Sequence, residues 1–294
     1  ARRGAKVCVA ARSEEGLKTL VGEIEAFGGE AFYVIADAAD FEQVKAVAEK
    51  TVERYGRLDT WVHAAAAFLF GKVELTEPEE YRRVLEVNLL GQIYGAKAAL
   101  PFLKKQGGAL IHISSVEAYR AVPFQSAYGA SKHGLKGFLQ VLRMELAHDL
   151  IPVSVTEILP HAINTPIYEK GRNKMPFKLR PVPPIYHPRI VVDAILYAAE
   201  NPVRDMVAGG AGLGVVYTER LSPALADFFT ETIGFPGQNE GAKDSPEQFE
   251  DNLFQPISGY DTVEGNDSDE QFMSDPYTWF KTTPNAQNGL LFEA

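Results

Sequence analysis

Short runs of apolar residues alternate along the chain with stretches in which apolar side chains recur every three or four positions. The runs at 6–10 (KVCVA), 31–36 (AFYVIA), 59–64 (DTWVHA), 109–114 (ALIHIS), 152–158 (PVSVTEI) and 205–210 (DMVAGG) are short and predict strands. After the first, Ser13 caps a predicted helix with Leu17, Leu20, Val21 and Ile24 on one face, stopped by Gly28 and Gly29. Asp40 caps the next, which carries Val44, Val47, Ala48, Val52 and Tyr55 and stops at Gly56. Further helices are predicted over 78–105, 126–149 and 189–200. Continuously apolar strands alternating with helices predict an α/β fold, a doubly wound parallel sheet covered on both faces. In such sheets ligands bind at the carboxyl ends of the strands.

The rhythm breaks at residue 236. Residues 236–294 are rich in Gly, Pro, Asp, Asn and Ser, yet they contain Phe249, Phe254, Tyr260, Phe272, Tyr277, Trp279 and Phe280. That is too many aromatics for a plain disordered tail. We expect one domain over 1–235 and an irregular acidic extension over 236–294, docked on the body or on a neighbouring subunit. The charge follows the same division. Residues 236–294 carry 12 acidic and two basic side chains, which gives the whole net charge of −10. Nothing forms a basic stripe, so nucleic acid is not an expected partner. The lone Cys8 excludes a disulfide within the chain and suits a reducing, cytoplasmic compartment. No apolar run approaches the 18 residues or so of a membrane span, and no signal-peptide pattern opens the sequence. The His residues show no ligand-spaced pair, so no metal site is expected.

Tyr128 and Lys132 are four residues apart in the helix predicted over 126–149, which puts a phenol and an ammonium on one face. A cation beside a phenol favours phenolate, and a tyrosine tuned that way can exchange a proton with an alcohol oxygen. Ser115 lies 13 residues earlier, where the strand over 109–114 ends. A second Tyr-x-x-x-Lys, Tyr277 to Lys281, lies between two prolines with no strand before it, and reads as a surface coincidence.

With these pieces in order the sequence resembles the short-chain dehydrogenase/reductase family, from Ala1 to about Gly210. The resemblance rests on DAAD (37–40), YGRLDTWVHAAA (55–66), VNLLG (87–91), ISS (113–115), YGASK (128–132) and the spacing of Pro160 and Thr165. It implies a Rossmann-like fold. It implies that Tyr128 is the general acid or base, that Lys132 lowers its pKa and holds the nicotinamide ribose, and that Ser115 holds the substrate oxygen. Asn88 would hold a water that relays protons to Lys132. Asp37 would accept from the adenine amine, with Ala38 beside it, and Ala65 and Thr165 would also touch the cofactor. Ala11 stands where NAD-preferring members carry an acid, and Arg12 follows it. A guanidinium there can hold a 2′-phosphate, which favours NADP over NAD. The implied function is an NADP-dependent oxidoreductase that interconverts a carbonyl and a secondary alcohol on an apolar organic substrate, working as a homo-oligomer. Two other readings stand beside it: a non-catalytic dinucleotide-binding or scaffold relative, and a lyase or epimerase with a tightly held cofactor.

The sequence also departs from the family pattern. The opening strand and its Gly-rich turn are absent, and ARRGAKV looks like the end of the helix that follows that turn. The missing strand belongs in the middle of the sheet, so strands 6–10 and 31–36 should lose their bridge to the rest. The chain reads as an N-terminally truncated form of a longer protein. HAAA (63–66) replaces Asn-Asn-Ala-Gly, so backbone groups braced by an amide need other partners. His161 stands in place of a glycine, and together with Tyr168, in the apolar lid expected over 161–188, it is a candidate substrate contact.

Overall fold

The computed structural model describes residues 1–242, 250–259, 262–268 and 270–283. All six predicted strands form: β1 (Val7–Ala11), β2 (Ala31–Ile35), β3 (Thr60–His63), β4 (Gly108–Ile113), β5 (Val153–Pro160) and β6 (Asp205–Ala208). Helices α1 (Glu14–Ala26) and α2 (Phe41–Tyr55) begin at their predicted caps. Ser13 Oγ accepts the Gly16 amide at 3.3 Å, and Asp40 Oδ1 accepts that of Gln43 at 3.1 Å. Gly56 ends α2 with a left-handed φ of 78°.

Strands β3 to β6 form one parallel sheet in the order β6-β5-β4-β3, while β1 and β2 form a separate parallel pair. The break in hydrogen bonding falls where a doubly wound order places a strand between β1 and β3. Packing holds the two pieces together instead. Trp61 of β3 lies against Val34 and Val47. Val44 and Ala48 of α2 are buried against Ala96 and Ala99 of helix α4 (Gly91–Leu103).

The larger sheet is covered on both faces. Leu110 and Val155 lie under α4 and α5 (Ser126–His148), while Ile111, Ile158 and Met206 lie under α6 (Arg189–Glu200). Each such side chain contributes roughly 2 kcal/mol by leaving water. The long helix predicted over 78–105 consists of α3 (Pro78–Leu85), a wider π turn at Glu86–Leu90, and α4. Such turns often mark functional positions, and Asn88 sits in this one.

Residues 211–234 are helical, which the sequence pattern does not predict: α7 (Ala211–Leu221), α8 (Pro223–Phe229) and a π turn at Thr230–Gly234. Tyr217, Leu221 and Phe228 are exposed there, so no clean apolar stripe reveals the period. The acidic extension docks on the body. Gln271–Phe272 pairs with Ile185–Tyr186, which also pairs with Ala162–Ile163. Helix α9 (Pro276–Thr282) follows, and Gly209 N donates to Thr278 Oγ1 at 3.1 Å. Tyr277 packs beside Val207. Phe249 and Tyr260 lie outside the described residues.

Candidate active site

Helix α5 starts two elements away from β4 in sequence but returns to its carboxyl end. That brings Tyr128, Lys132 and Ser115 into the wall of one cavity of about 580 Å³. Ile113, Val116, Ile163, Ile167 and Phe68 make the wall mostly apolar, and Thr165, His161 and Tyr168 also line it. The segment 161–188 forms one side. Val215, Phe229 and Ile233, from the unpredicted helical stretch, form another. The Tyr128 ring packs edge-on against Phe68 at 5.0 Å, and Tyr168 meets the same Phe68 at 5.3 Å. The His161 ring uses Nδ1 on the Pro184 carbonyl at 3.1 Å. A carbonyl only accepts, so Nδ1 carries the proton and Nε2 of the neutral ring is an acceptor.

The electrostatics differ from the expected form. Burial pushes the Tyr128 hydroxyl above its ordinary value, and the Glu117 charge adds to this, while the Ser115 hydroxyl works the other way. The net direction is therefore opposite to the lowering expected from Lys132, because burial dominates. The Lys132 ammonium, fully buried, is itself pushed down to about 8 against the pull of Glu117 and Glu157. Lys132 Nζ donates to the Ile113 carbonyl at 3.0 Å and lies 5.2 Å from the centre of the Tyr128 ring.

Asn88 also makes a contact that spacing along the chain does not reveal. Its amide is closed on one residue: Oδ1 accepts Ala67 N at 2.7 Å, and Nδ2 donates to Ala67 O at 2.9 Å. Its side chain thus braces the turn after β3. The brace lost with the HAAA sequence is supplied by Gln92, whose Nε2 lies 3.4 Å from His63 O and 3.3 Å from Ile113 O. Gln92 Oε1 meets His112 Nδ1 at 2.7 Å, and the His112 ring stacks with that of His63. Burial pushes His63 down to about 4 and His112 to about 3, so both are neutral core residues. Ala64 and Ala66 line the cavity, whereas Ala65 between them is exposed and does not.

The other proposed cofactor contacts lie at the ends of β1 and β2. Asp37 Oδ1 accepts Ala39 N at 2.9 Å, and Oδ2 meets Arg83 Nη2 at 2.6 Å. Burial raises its carboxyl, but Arg83, the Ala39 amide and the Arg12 charge outweigh that and hold it below the usual range. Arg12 donates to the Asn252 and Phe254 carbonyls at 2.5 and 3.0 Å. Ala38 lies by the buried Leu253. The donor set fits a nicotinamide dinucleotide at the Tyr128 end, where Lys132 has three donors and uses one on Ile113. At the Arg12 end the matching groups are present and engaged by the chain itself.

Glu117 is the functional candidate that sequence reasoning missed. It follows Ser115 by two residues, lines the cavity, and is buried with Oε2 unpartnered among the described residues. Burial pushes it up to about 8. The signal in the sequence is an acid between Val116 and Ala118, just past a strand's carboxyl end. Among the described residues no group of three His, Cys, Asp or Glu is placed to hold a metal, and no helix is long and apolar enough to cross a membrane.

A family model described as short chain dehydrogenase matches residues 1–176. The uncharacterized oxidoreductase YxnA of Bacillus subtilis (strain 168) is 38% identical over 253 residues, covering 84% of this chain and 70% of its own. A short-chain dehydrogenase structure from Streptomyces avermitilis matches with a TM-score of 0.65 at 26% identity, covering 78% of this chain and 88% of that one. An alcohol dehydrogenase from the archaeon Thermococcus sibiricus, complexed with 5-hydroxy-NADP, matches with a TM-score of 0.61 at 27% identity, covering 70% and 85%. With the parallel sheet and the buried Tyr128–Lys132 pair, these matches establish that the chain belongs to the short-chain dehydrogenase family, oxidoreductases acting on CH–OH groups.

Proposed function

We propose that the protein interconverts a carbonyl and a secondary alcohol on an apolar organic substrate, with NADP preferred over NAD. The observation that carries this reading is the burial of Tyr128 and Lys132, one helical turn apart, in the wall of a largely apolar cavity. The nicotinamide, when bound, supplies the hydride exchange. Tyr128 holds its proton at neutral pH and donates it to the substrate oxygen in reduction; in oxidation it takes the alcohol proton back. Ser115 hydrogen-bonds the same oxygen. Lys132 holds the nicotinamide ribose, and its charge stabilises phenolate as it forms. Thr165 contacts the carboxamide. Asn88 acts through the turn at 64–67, as a positioning residue. His161 and Tyr168 shape the substrate end.

At the adenosine end, Arg12 supports the preference for a 2′-phosphate and Asp37 supports contact with the base. Leu90, Val141 and Met144, exposed on the long helices, support a homo-oligomer. The lone Cys8 supports a cytoplasmic setting. A second reading, a non-catalytic relative, is favoured by the engagement of Arg12 and Asp37 with the chain itself. Oxidation of NADPH and NADH, followed against a panel of cyclic and long-chain ketones, separates the two. We expect turnover on apolar ketones with kcat/KM at least about tenfold higher for NADPH, a difference of about 1.4 kcal/mol. No turnover with either cofactor across the panel would favour the non-catalytic reading.

A further inference from the structure

The extension crosses the domain at Asp251–Phe254 and takes hold of the residues assigned to the adenosine end of the cofactor. Three successive carbonyls accept from two guanidinium groups. Asn252 O and Phe254 O take Arg12 Nη2 and Nη1, and Leu253 O takes Arg83 Nε at 2.9 Å. Arg83 also pairs with Asp37. The segment is anchored firmly. Leu253 is fully buried among Leu69, Val84 and Val87. Asp251 Oδ2 meets Arg172 Nε at 2.8 Å, and Asn252 N donates to the Lys170 carbonyl at 2.9 Å.

We propose that Asp251–Phe254 is a specificity-determining strap that competes for Arg12 and so governs whether a 2′-phosphate is accepted. This inference rests on the dinucleotide reading of the site. A neutral carbonyl offers the guanidinium only a dipole, whereas a phosphate dianion offers opposite charge and oxygens that match its planar fork bidentately. A 2′-phosphate can therefore draw Arg12 away from the strap. A ribose with a plain 2′-hydroxyl offers nothing that competes, and it binds with the strap in place. The strap thus reduces the advantage that Arg12 gives to NADP, and loosening it restores that advantage.

The test uses the full chain and two probes that report only on this end, adenosine 2′,5′-bisphosphate and adenosine 5′-monophosphate. Their affinities are measured by calorimetry for the parent and for Leu253→Ser, which removes the buried anchor. Hydrogen exchange of the peptide over 250–257 is followed in the parent with each probe. The strap account expects Leu253→Ser to bind the bisphosphate at least about tenfold tighter, with the monophosphate little changed. It also expects the bisphosphate alone to speed exchange in the parent. Equal effects on both probes, unchanged affinities, no binding to Leu253→Ser, or bisphosphate binding that leaves exchange unaltered would each overturn it. If Leu253→Ser does not fold, the exchange measurement in the parent decides. Binding of reduced nicotinamide mononucleotide, read by its fluorescence, reports separately on the Tyr128 end. If that persists while the strap test fails, the strap proposal falls and the dinucleotide reading stands; if it too is absent, both fall.

Discussion

The Lys132 ammonium stands 5.2 Å from the centre of the Tyr128 ring, fixed by its hydrogen bond to the Ile113 carbonyl at the end of β4. The helix sets the spacing and the strand end supplies the acceptor, so the pair is positioned by the fold rather than by a flexible contact. Lys132→Met keeps the length and apolar bulk of the side chain and removes the charge. We expect kcat to fall by about a hundredfold or more with the circular-dichroism spectrum intact. An unchanged kcat would remove Lys132 from the proton chemistry.

Glu117 makes stability depend on pH in a direction unusual for a carboxylate. Its folded value is raised to about 8 from 4.5. Its stabilising contribution is fully present below pH 4.5, where both states hold the proton. It is lost as pH rises towards 8, because the unfolded chain ionises first. Glu117→Gln has no such loss, so its melting temperature should gain on the parent progressively across that window and level off above it. A melting-temperature difference that stays constant across this window would show that the folded carboxyl keeps its ordinary value.

The His63–His112 pair acts with the opposite sign. Both are pushed down from 6.5, to about 4 and about 3. Their contribution is complete above pH 6.5 and is lost as pH falls through the folded values, because the unfolded chain takes up protons that the native state refuses. Replacing His63 with Leu should relieve part of the acid destabilisation between about pH 6 and pH 4, on the order of 2 kcal/mol. Equal acid slopes in urea titrations of parent and variant would contradict neutral burial.

Gly95 sits where α4 crosses β3. A Cβ there would come within 2.7 Å of Trp61 Nε1 and closer still to the His63 ring. Helix propensity alone favours alanine by about 1 kcal/mol, but overpacking of this kind costs roughly 1–3 kcal/mol. Gly95→Ala should therefore lower stability to chemical denaturation. A gain would mean that the helix and strand separate freely at this point.

Much of this was legible in the sequence because the signals are local. Ser13, Asp40 and Gly56 act on the residues beside them, and the helical period alone places Tyr128 and Lys132 on one face. The sheet-edge rule then adds Ser115. What sequence could not show is which groups meet across the fold. Asn88 closes on Ala67, Gln92 takes over a brace from another helix, and Arg12 meets Phe254 across 242 positions. The expected lowering of the Tyr128 pKa failed for the same reason. Spacing shows that a lysine is near, but not how completely both groups are buried or that Glu117 shares the cavity. The helices over 211–234 escaped notice because their apolar residues point both inward and outward.

The most direct test of the account is steady-state turnover of Tyr128→Phe with NADPH and an apolar ketone that the parent reduces. The substitution keeps the ring against Phe68 and removes only the hydroxyl. We expect kcat to fall by about 10²–10⁴-fold, with the melting temperature close to that of the parent. Turnover at the parental rate would contradict the assignment of Tyr128 as the proton donor, and with it the reading of this cavity as the catalytic site.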